Sequence, residues 1–316
     1  MQYLKDLKEN ERVVEHYLCK QKQTLKTKTG KPYFSLKLQD KTAVVDSKVW
    51  EINSDISEFE ENDVIKIDGV VQLYNSEPQL KISRIRKSLE GEYDPTEYVP
   101  RTEKDIDQLY SQLLTYIESI NQPYIRRLLT GIVIDNEDIS KAITSHSAAK
   151  NLHHSYYGGL LEHLIAVTDI CDFISKRYKF IDRDILIAGA ILHDIAKIFE
   201  LSPMPTNIYT DDGQMLGHIY MGAELISKEA AKIKDFPHTL ESMLKHLILS
   251  HHGEYEFGSP KLPMTMEAFI LHAADNMDAK IKVLEETIAG DVTPGVWLGY
   301  NKMLNRYLRK SDYEDA

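Results

Sequence analysis

Residues 185–197 read ILIAGAILHDIAK, and this stretch decides the fold of the larger part of the chain. The segment from Ile185 to Leu192 is apolar almost all round, which predicts a helix buried within a core. That helix runs directly into His193 and Asp194. Burying an ionised carboxylate is costly unless it is paired or binds a metal. We therefore expect a metal centre at the end of a buried helix.

Histidines and carboxylates concentrate around that point, since eleven of the twelve histidines lie between His146 and His272. Imidazole and carboxylate are the ligands that hydrolytic enzymes use for borderline divalent metals, and two neighbouring ions commonly cut phosphate esters. We expect two ions per chain, Mn²⁺ or Co²⁺, with Fe²⁺ and Zn²⁺ as alternatives. The predicted ligands are, in chain order, His163, His193, Asp194, His218, His251, His252 and Asp275.

Several of these residues also have plainer interpretations. Taken alone, His163 reads as a core histidine, because it lies one residue off the buried stripe of the helix that follows Gly158-Gly159. Lys197 follows Asp194 at i+3, on the same side of the helix, so it forms either a surface ion pair or a contact to a phosphoryl oxygen. Asp194 and Lys197 are the candidate catalytic residues. His154, next to His153, either contacts substrate or caps the entry to a helix.

Residues 1–90 read as five short strands joined by turn-forming residues, which predicts a small β-barrel. The strands are expected at residues 13–19, 33–38, 42–50, 64–71 and 80–85. Residues 91–105 carry two prolines and many charges, and we interpret them as a linker. From Ile106 to residue 316 the apolar period becomes helical. The predicted fold class is thus multidomain α+β, with a small barrel followed by an all-α domain.

The barrel also carries a candidate surface for single-stranded nucleic acid. Lysines are dense between Lys20 and Lys48, with aromatic residues interleaved. Single-strand binders combine such lysines with aromatic stacking platforms. Lys26, Lys28, Tyr33 and Phe34 are the candidate contacts. The alternative is that Phe34 and Trp50 belong to the barrel core and the lysines form a solvated rim.

Composition limits the partners and the compartment. The net charge is −11, which argues against a simple basic nucleic-acid binder, although residues 1–90 are nearly neutral at +1. No apolar run is long enough to span a bilayer, and the charged N-terminus shows no secretory signal. The two cysteines, Cys19 and Cys171, form no disulfide framework. We expect a cytoplasmic protein with no membrane partner.

The ordered ligand series resembles a known signature. His163, His193-Asp194 and Asp275 resemble the metal motif of the HD-domain phosphohydrolases, and His218 with His251-His252 resembles the additional ligands of two-metal members. Residues 10–88 resemble an OB-fold of the tRNA-anticodon-binding type. The whole arrangement, with HHSYYGGLLEHLIAV at residues 153–167 and HDIAK at 193–197, is similar to the YhaM family of bacterial 3′-to-5′ exoribonucleases.

The resemblance implies a metal-dependent 3′-to-5′ exonuclease acting on single-stranded RNA, with single-stranded DNA as an alternative substrate. HD folds host many reactions, so two other functions stay open. The first is a phosphohydrolase of nucleotides or cyclic dinucleotides with a regulatory barrel. The second is a single-stranded DNA-binding factor without activity. A homo-oligomer also stays open, because residues 297–309 could form either a subunit contact or a substrate wall.

Overall fold

The protein forms two compact units. The computed structural model describes residues 1–74, 77–89, 91–150, 154–290, 295–301 and 303–311. His153 therefore lies outside the described residues. The first unit comprises Met1–Arg101 with Met204–Thr206, and the second comprises Thr102–Pro203 with Asn207–Ala316.

The first unit contains a closed barrel of five strands, and all five predicted strands are present. They are β1 (Arg12–Lys26), β2 (Pro32–Gln39), β3 (Val44–Val49), β4 (Val64–Tyr74) and β5 (Glu77–Lys87). Their order around the barrel is β1-β2-β3-β5-β4. Neighbouring strands are antiparallel except for the parallel pair β3 and β5.

The first strand is longer than its sequence pattern predicts. It pairs with β4 through Leu18 and with β2 from Leu18 onward, and the register shifts between Cys19 and Gln21. Such an irregularity bends a strand and lets it serve two neighbours in a closed barrel. Residues 20–26, which the predicted strand at 13–19 leaves out, are therefore the second half of β1.

The second unit is built of helices. They are α1 (Ile106–Glu118), α2 (Pro123–Leu129), α3 (Glu137–Ser145), α4 (Gly159–Ser175), α5 (Arg183–Leu192), α6 (Lys197–Glu200), α7 (Asp211–Ala230), α8 (His238–Ser250) and α9 (Met266–Ala289). Every residue of α5 from Ile185 to Leu192 is buried, and α5 packs against α4, α8 and α9, as its apolar sequence predicts. Within the described ranges, no helix is both long and apolar enough to cross a membrane.

The expectation of helices alone after residue 106 was wrong near the C-terminus. An antiparallel hairpin of β6 (Trp297–Asn301) and β7 (Arg306–Arg309) lies there. Tyr300 pairs with Tyr307 across the two strands, and their ring centroids are 5.2 Å apart. Aromatic cross-strand pairs stabilise short hairpins, and this pairing cannot be recognised from a helical period.

Candidate metal centre

Five separate segments deliver the predicted ligands to one place. His163 lies in α4, His193 and Asp194 follow α5, His218 lies in α7, and the histidine pair at 251–252 follows α8. Asp275 lies within α9 rather than at the end of a helix. The seven predicted ligands form one cluster, with each half built around one oxygen of Asp194.

The first half-site consists of His163, His193 and Asp275, whose ligand atoms lie within 4.8 Å of one another. His163 Nε2 is 3.1 Å from His193 Nε2 and 3.3 Å from Asp275 Oδ1. Asp194 Oδ2 lies 3.4 Å from His163 Nε2 and 3.6 Å from His193 Nε2. One carboxylate oxygen of Asp194 thus faces this half-site.

The second half-site consists of His218, His251 and His252, again with ligand atoms within 4.8 Å of one another. The other oxygen of Asp194, Oδ1, lies 3.4 Å from His218 Nε2 and 3.6 Å from His251 Nε2. Asp194 is therefore the residue that the two half-sites share.

The donor atoms of this cluster fit a divalent metal. Asp194 Oδ1, His218 Nε2 and His251 Nε2 are buried and have no hydrogen-bond partner among the described residues. Buried polar atoms without partners are rare and need an explanation such as a bound ion. Imidazole nitrogens with carboxylate oxygens form the donor set that borderline divalent metals prefer.

The other ring nitrogen of each histidine is held by an acceptor. An acceptor on Nδ1 fixes the tautomer, so that Nε2 carries the lone pair towards the cluster. The Nδ1 contacts are His163 to Asp278 Oδ2 (2.7 Å), His193 to the Ala190 carbonyl (2.8 Å), His218 to Glu200 Oε1 (2.9 Å), His251 to the Ile248 carbonyl (2.8 Å) and His252 to the Phe257 carbonyl (2.9 Å).

The sequence did not point to two of these acceptors, Asp278 and Glu200. Asp278 lies one helical turn after Asp275, and that spacing is the signal that could have found it. Glu200 Oε1 accepts bonds from both the ring and the backbone N–H of His218. Glu200 therefore holds His218, the residue that follows Gly217. The helical conformation of α7 is broken at Gly217, which has φ 73° and ψ 156°.

His154 lies behind the first half-site. It is almost fully buried, its Nε2 is 3.0 Å from Asp278 Oδ2, and its Nδ1 is 2.9 Å from the Tyr156 hydroxyl. This placement favours a role in holding Asp278, and through it His163, over contact with substrate. Its predicted substrate contact stays a prediction.

The charge states suit metal binding. Burial lowers the pKa of His193 to about 4, so its ring is neutral at physiological pH. Burial opposes ionisation of Asp194, but the ammonium of Lys197, whose Nζ is 2.6 Å from Asp194 Oδ2, holds its pKa well below the usual range. Burial would lower the pKa of His163, yet the surrounding carboxylates raise it well above its ordinary value. A metal would displace that proton.

The cluster opens into a cavity of about 840 Å³. The cavity is lined by His163 and Asp275 of the first half-site and by His218 and His252 of the second. Lys197 lines the same cavity. A phosphate group entering the cavity would therefore meet both half-sites and the ammonium of Lys197.

The candidate contacts in the barrel fall into two groups. Tyr33 stacks on Trp50 with ring centroids 4.7 Å apart, and Lys26 and Lys28 are exposed. Phe34 instead packs against the barrel core and lies edge-on to Phe59, with centroids 6.0 Å apart. That placement agrees with the core interpretation of Phe34, while its strand contact stays a prediction.

Two family models match this chain. The model described as HD domain matches residues 160–280, from the start of α4 into α9. The second unit contains an HD domain. A model described as OB-fold nucleic acid binding domain matches residues 19–87, within the barrel. The predicted fold class, a small barrel followed by a helical domain, is thereby confirmed, although the C-terminal hairpin departs from an all-α second domain. The HD match indicates a metal-dependent phosphohydrolase, and the two domains together support a nucleic acid-processing hydrolase.

Two solved structures resemble parts of the chain. One is the second OB-fold domain of replication protein A from Methanococcus maripaludis, with 19% identity over 29% of this chain and 98% of that one, at a TM-score of 0.23. The other is a replication protein A heterotrimer bound to single-stranded DNA, with 11% identity over 25% of this chain and a TM-score of 0.21. The match spans 58% of that second chain.

Proposed function

We propose that this protein is a metal-dependent 3′-to-5′ exonuclease that hydrolyses single-stranded RNA, with single-stranded DNA as an alternative substrate. The observation that carries the proposal is the pair of half-sites that share Asp194 and open into one cavity. Paired metal sites are a recurring solution for phosphodiester hydrolysis. The barrel on the same chain favours a polymeric substrate.

The chemistry divides between the ions and the chain. One divalent ion would be held by His163, His193 and Asp275. The other would be held by His218, His251 and His252. Asp194 would hold both ions. Bound ions would activate the attacking water and neutralise charge at the phosphate. Lys197 lines the cavity beside them, and its ammonium stabilises negative charge on a phosphoryl oxygen. Asp278 and Glu200 hold His163 and His218 in their ligating orientations.

The barrel offers a face for the strand. The Tyr33–Trp50 stack lies where β2 meets β3, and the Lys48 ammonium is 5.9 Å from the Tyr33 ring centroid. OB-folds bind oligonucleotides on the face of their second and third strands. The 3′-to-5′ polarity is supported by the resemblance to the YhaM family.

A second candidate function is hydrolysis of a nucleotide or cyclic dinucleotide. The cavity of about 840 Å³ favours it, because small-molecule sites span about 300–1,000 Å³. The non-enzymatic alternative is disfavoured, because every predicted metal ligand is present in the cluster.

Digestion of 5′-labelled single-stranded RNA in Mn²⁺ tests the proposed function. We expect a ladder shortened from the 3′ end, and protection of the same RNA by a 3′-terminal block. Nucleotides and cyclic dinucleotides serve as comparison substrates. If they are consumed while the RNA stays intact, the small-molecule function takes its place.

His218→Ala is expected to remove about half of the bound metal, because it deletes a ligand of the second half-site only. Metal per chain, measured by elemental analysis after loading with Mn²⁺, checks this. His238→Ala is the matched control, because His238 is exposed at the start of α8. Unchanged metal content in His218→Ala would make His218 a structural histidine.

Stacking and charge on the barrel are expected to behave differently in a salt series. In protein inactivated by Asp194→Asn, Tyr33→Ala should weaken strand binding by about 1–3 kcal/mol at every salt concentration. Lys26→Ala with Lys28→Ala should instead make the salt dependence shallower, because fewer counterions are released. Fluorescence anisotropy of a labelled oligonucleotide measures both. Wild-type affinity and slope in all variants would exclude this face from strand binding.

A further inference from the structure

We propose that Tyr209 and Lys150 form a nucleotide subsite on the wall of the metal cavity. The Tyr209 ring stacks on the base beside the cleaved phosphate, and the Lys150 ammonium binds a backbone phosphate. This inference rests on the proposed hydrolysis of single strands and names residues that hold the end of the strand at the cluster.

The first support is an exposed aromatic wall. Tyr209 is 43% exposed and Phe257 is 59% exposed, and both line the same cavity as His163 and Asp275. Rings open to water beside a phosphate-cutting centre are suited to nucleobase stacking, because every base has a π-face. Phe257 is a poorer test of the idea, because its carbonyl holds His252.

The second support is the charge of the Lys150 ammonium beside the Tyr209 ring. The Lys150 ammonium lies 5.4 Å from the Tyr209 ring centroid, and Lys150 lines the cavity. Among the described residues, Lys150 forms no ion pair with a carboxylate. An exposed ammonium beside a stacking ring matches the paired charge and π-surface that bind single strands.

The third support is that the backbone of both residues is held by hydrogen bonds. The side-chain amide of Asn207 donates to the carbonyls of Ala149 and Lys150, at 3.0 and 3.2 Å. Two residues later, Tyr209 forms a backbone bridge with Leu201. Asn207 therefore ties the segment of Lys150 to the segment of Tyr209. Holding the backbone of the two segments lowers the entropy cost of ordering them on binding.

The test uses the full-length protein in Mn²⁺ and two 5′-labelled single-stranded RNAs. One is intact and the other has abasic 3′-terminal nucleotides. On the intact strand, Tyr209→Ala should raise KM about tenfold with little change in kcat, whereas Tyr209→Phe keeps the ring and should match wild type. On the abasic strand, Tyr209→Ala and wild type should be equal.

Lys150→Ala should raise KM on both strands, and this effect should shrink as salt rises. Tyr220→Ala and Lys234→Ala are matched controls, because both residues are exposed and neither lines the cavity. They should match wild type on both strands.

An equal loss on intact and abasic strands would overturn the stacking role, as would an equal loss in Tyr209→Phe. If Tyr209→Ala fails to fold, the wild-type protein still tests the subsite. Its KM should be higher on the abasic strand than on the intact strand, because the abasic strand lacks the bases that stack on Tyr209. Wild type that digests both strands alike overturns the subsite and leaves the nuclease function standing. Wild type that digests neither strand overturns both proposals.

Discussion

Asp194→Asn is expected to lower kcat/KM on single-stranded RNA by at least about 1,000-fold, the scale of losing a group that acts on the transition state. Asp194 presents one oxygen to each half-site, and an amide offers only one oxygen. The substitution conserves volume, so the helical fold should persist. Strand digestion, circular dichroism and metal analysis on one preparation check the three statements.

Asp212→Asn is the matched control for that experiment. Asp212 is an exposed carboxylate in the first turn of α7, so its substitution should leave turnover unchanged. Near-normal turnover in folded Asp194→Asn protein would overturn the metal assignment.

Removal of metal by EDTA is expected to abolish hydrolysis and to lower thermal stability together. Ions that bind only the folded chain add about 2.7 kcal/mol of stability at one hundred times their dissociation constant. Mn²⁺ or Co²⁺ should restore both properties, because imidazole nitrogens and carboxylate oxygens form the donor set that borderline divalent metals prefer.

Melting curves and activity are measured on the same chelated and reloaded samples, with Fe²⁺ and Zn²⁺ for comparison. Hydrolysis that continues after the metal content has fallen to zero would contradict the proposed mechanism. Recovery of activity without recovery of stability would place the working ion outside the buried cluster.

The fold was predictable wherever burial imposes a clear pattern of apolar residues on the sequence. α5 is buried all round and its sequence is apolar all round, and α1 begins at Ile106 as expected. The extension of β1 through Lys26 was missed, because its partner β2 rather than its own polar residues holds it in a strand. The C-terminal hairpin was missed for a similar reason, since cross-strand pairing is a tertiary property.

The cluster was predictable from residue type and order, because few side chains can ligate a metal. The groups that orient the ligands were not. His193 and His251 are held by the backbone carbonyls of Ala190 and Ile248, and no sequence pattern marks a carbonyl as an acceptor. Asp278 and Glu200 are ordinary helical carboxylates until the distance to a ring nitrogen is known.

At Gly217, the space available for a side chain does not decide whether a substitution is tolerated. Its nearest side-chain neighbour, Glu200 Oε1, would lie 3.7 Å from an added Cβ, so a methyl group would fit. Its backbone conformation is nevertheless one that essentially only glycine adopts. Variation at this position is therefore limited by the direction in which the chain must present His218. Packing alone would accept alanine there, but alanine would misdirect His218, a predicted ligand of the second half-site.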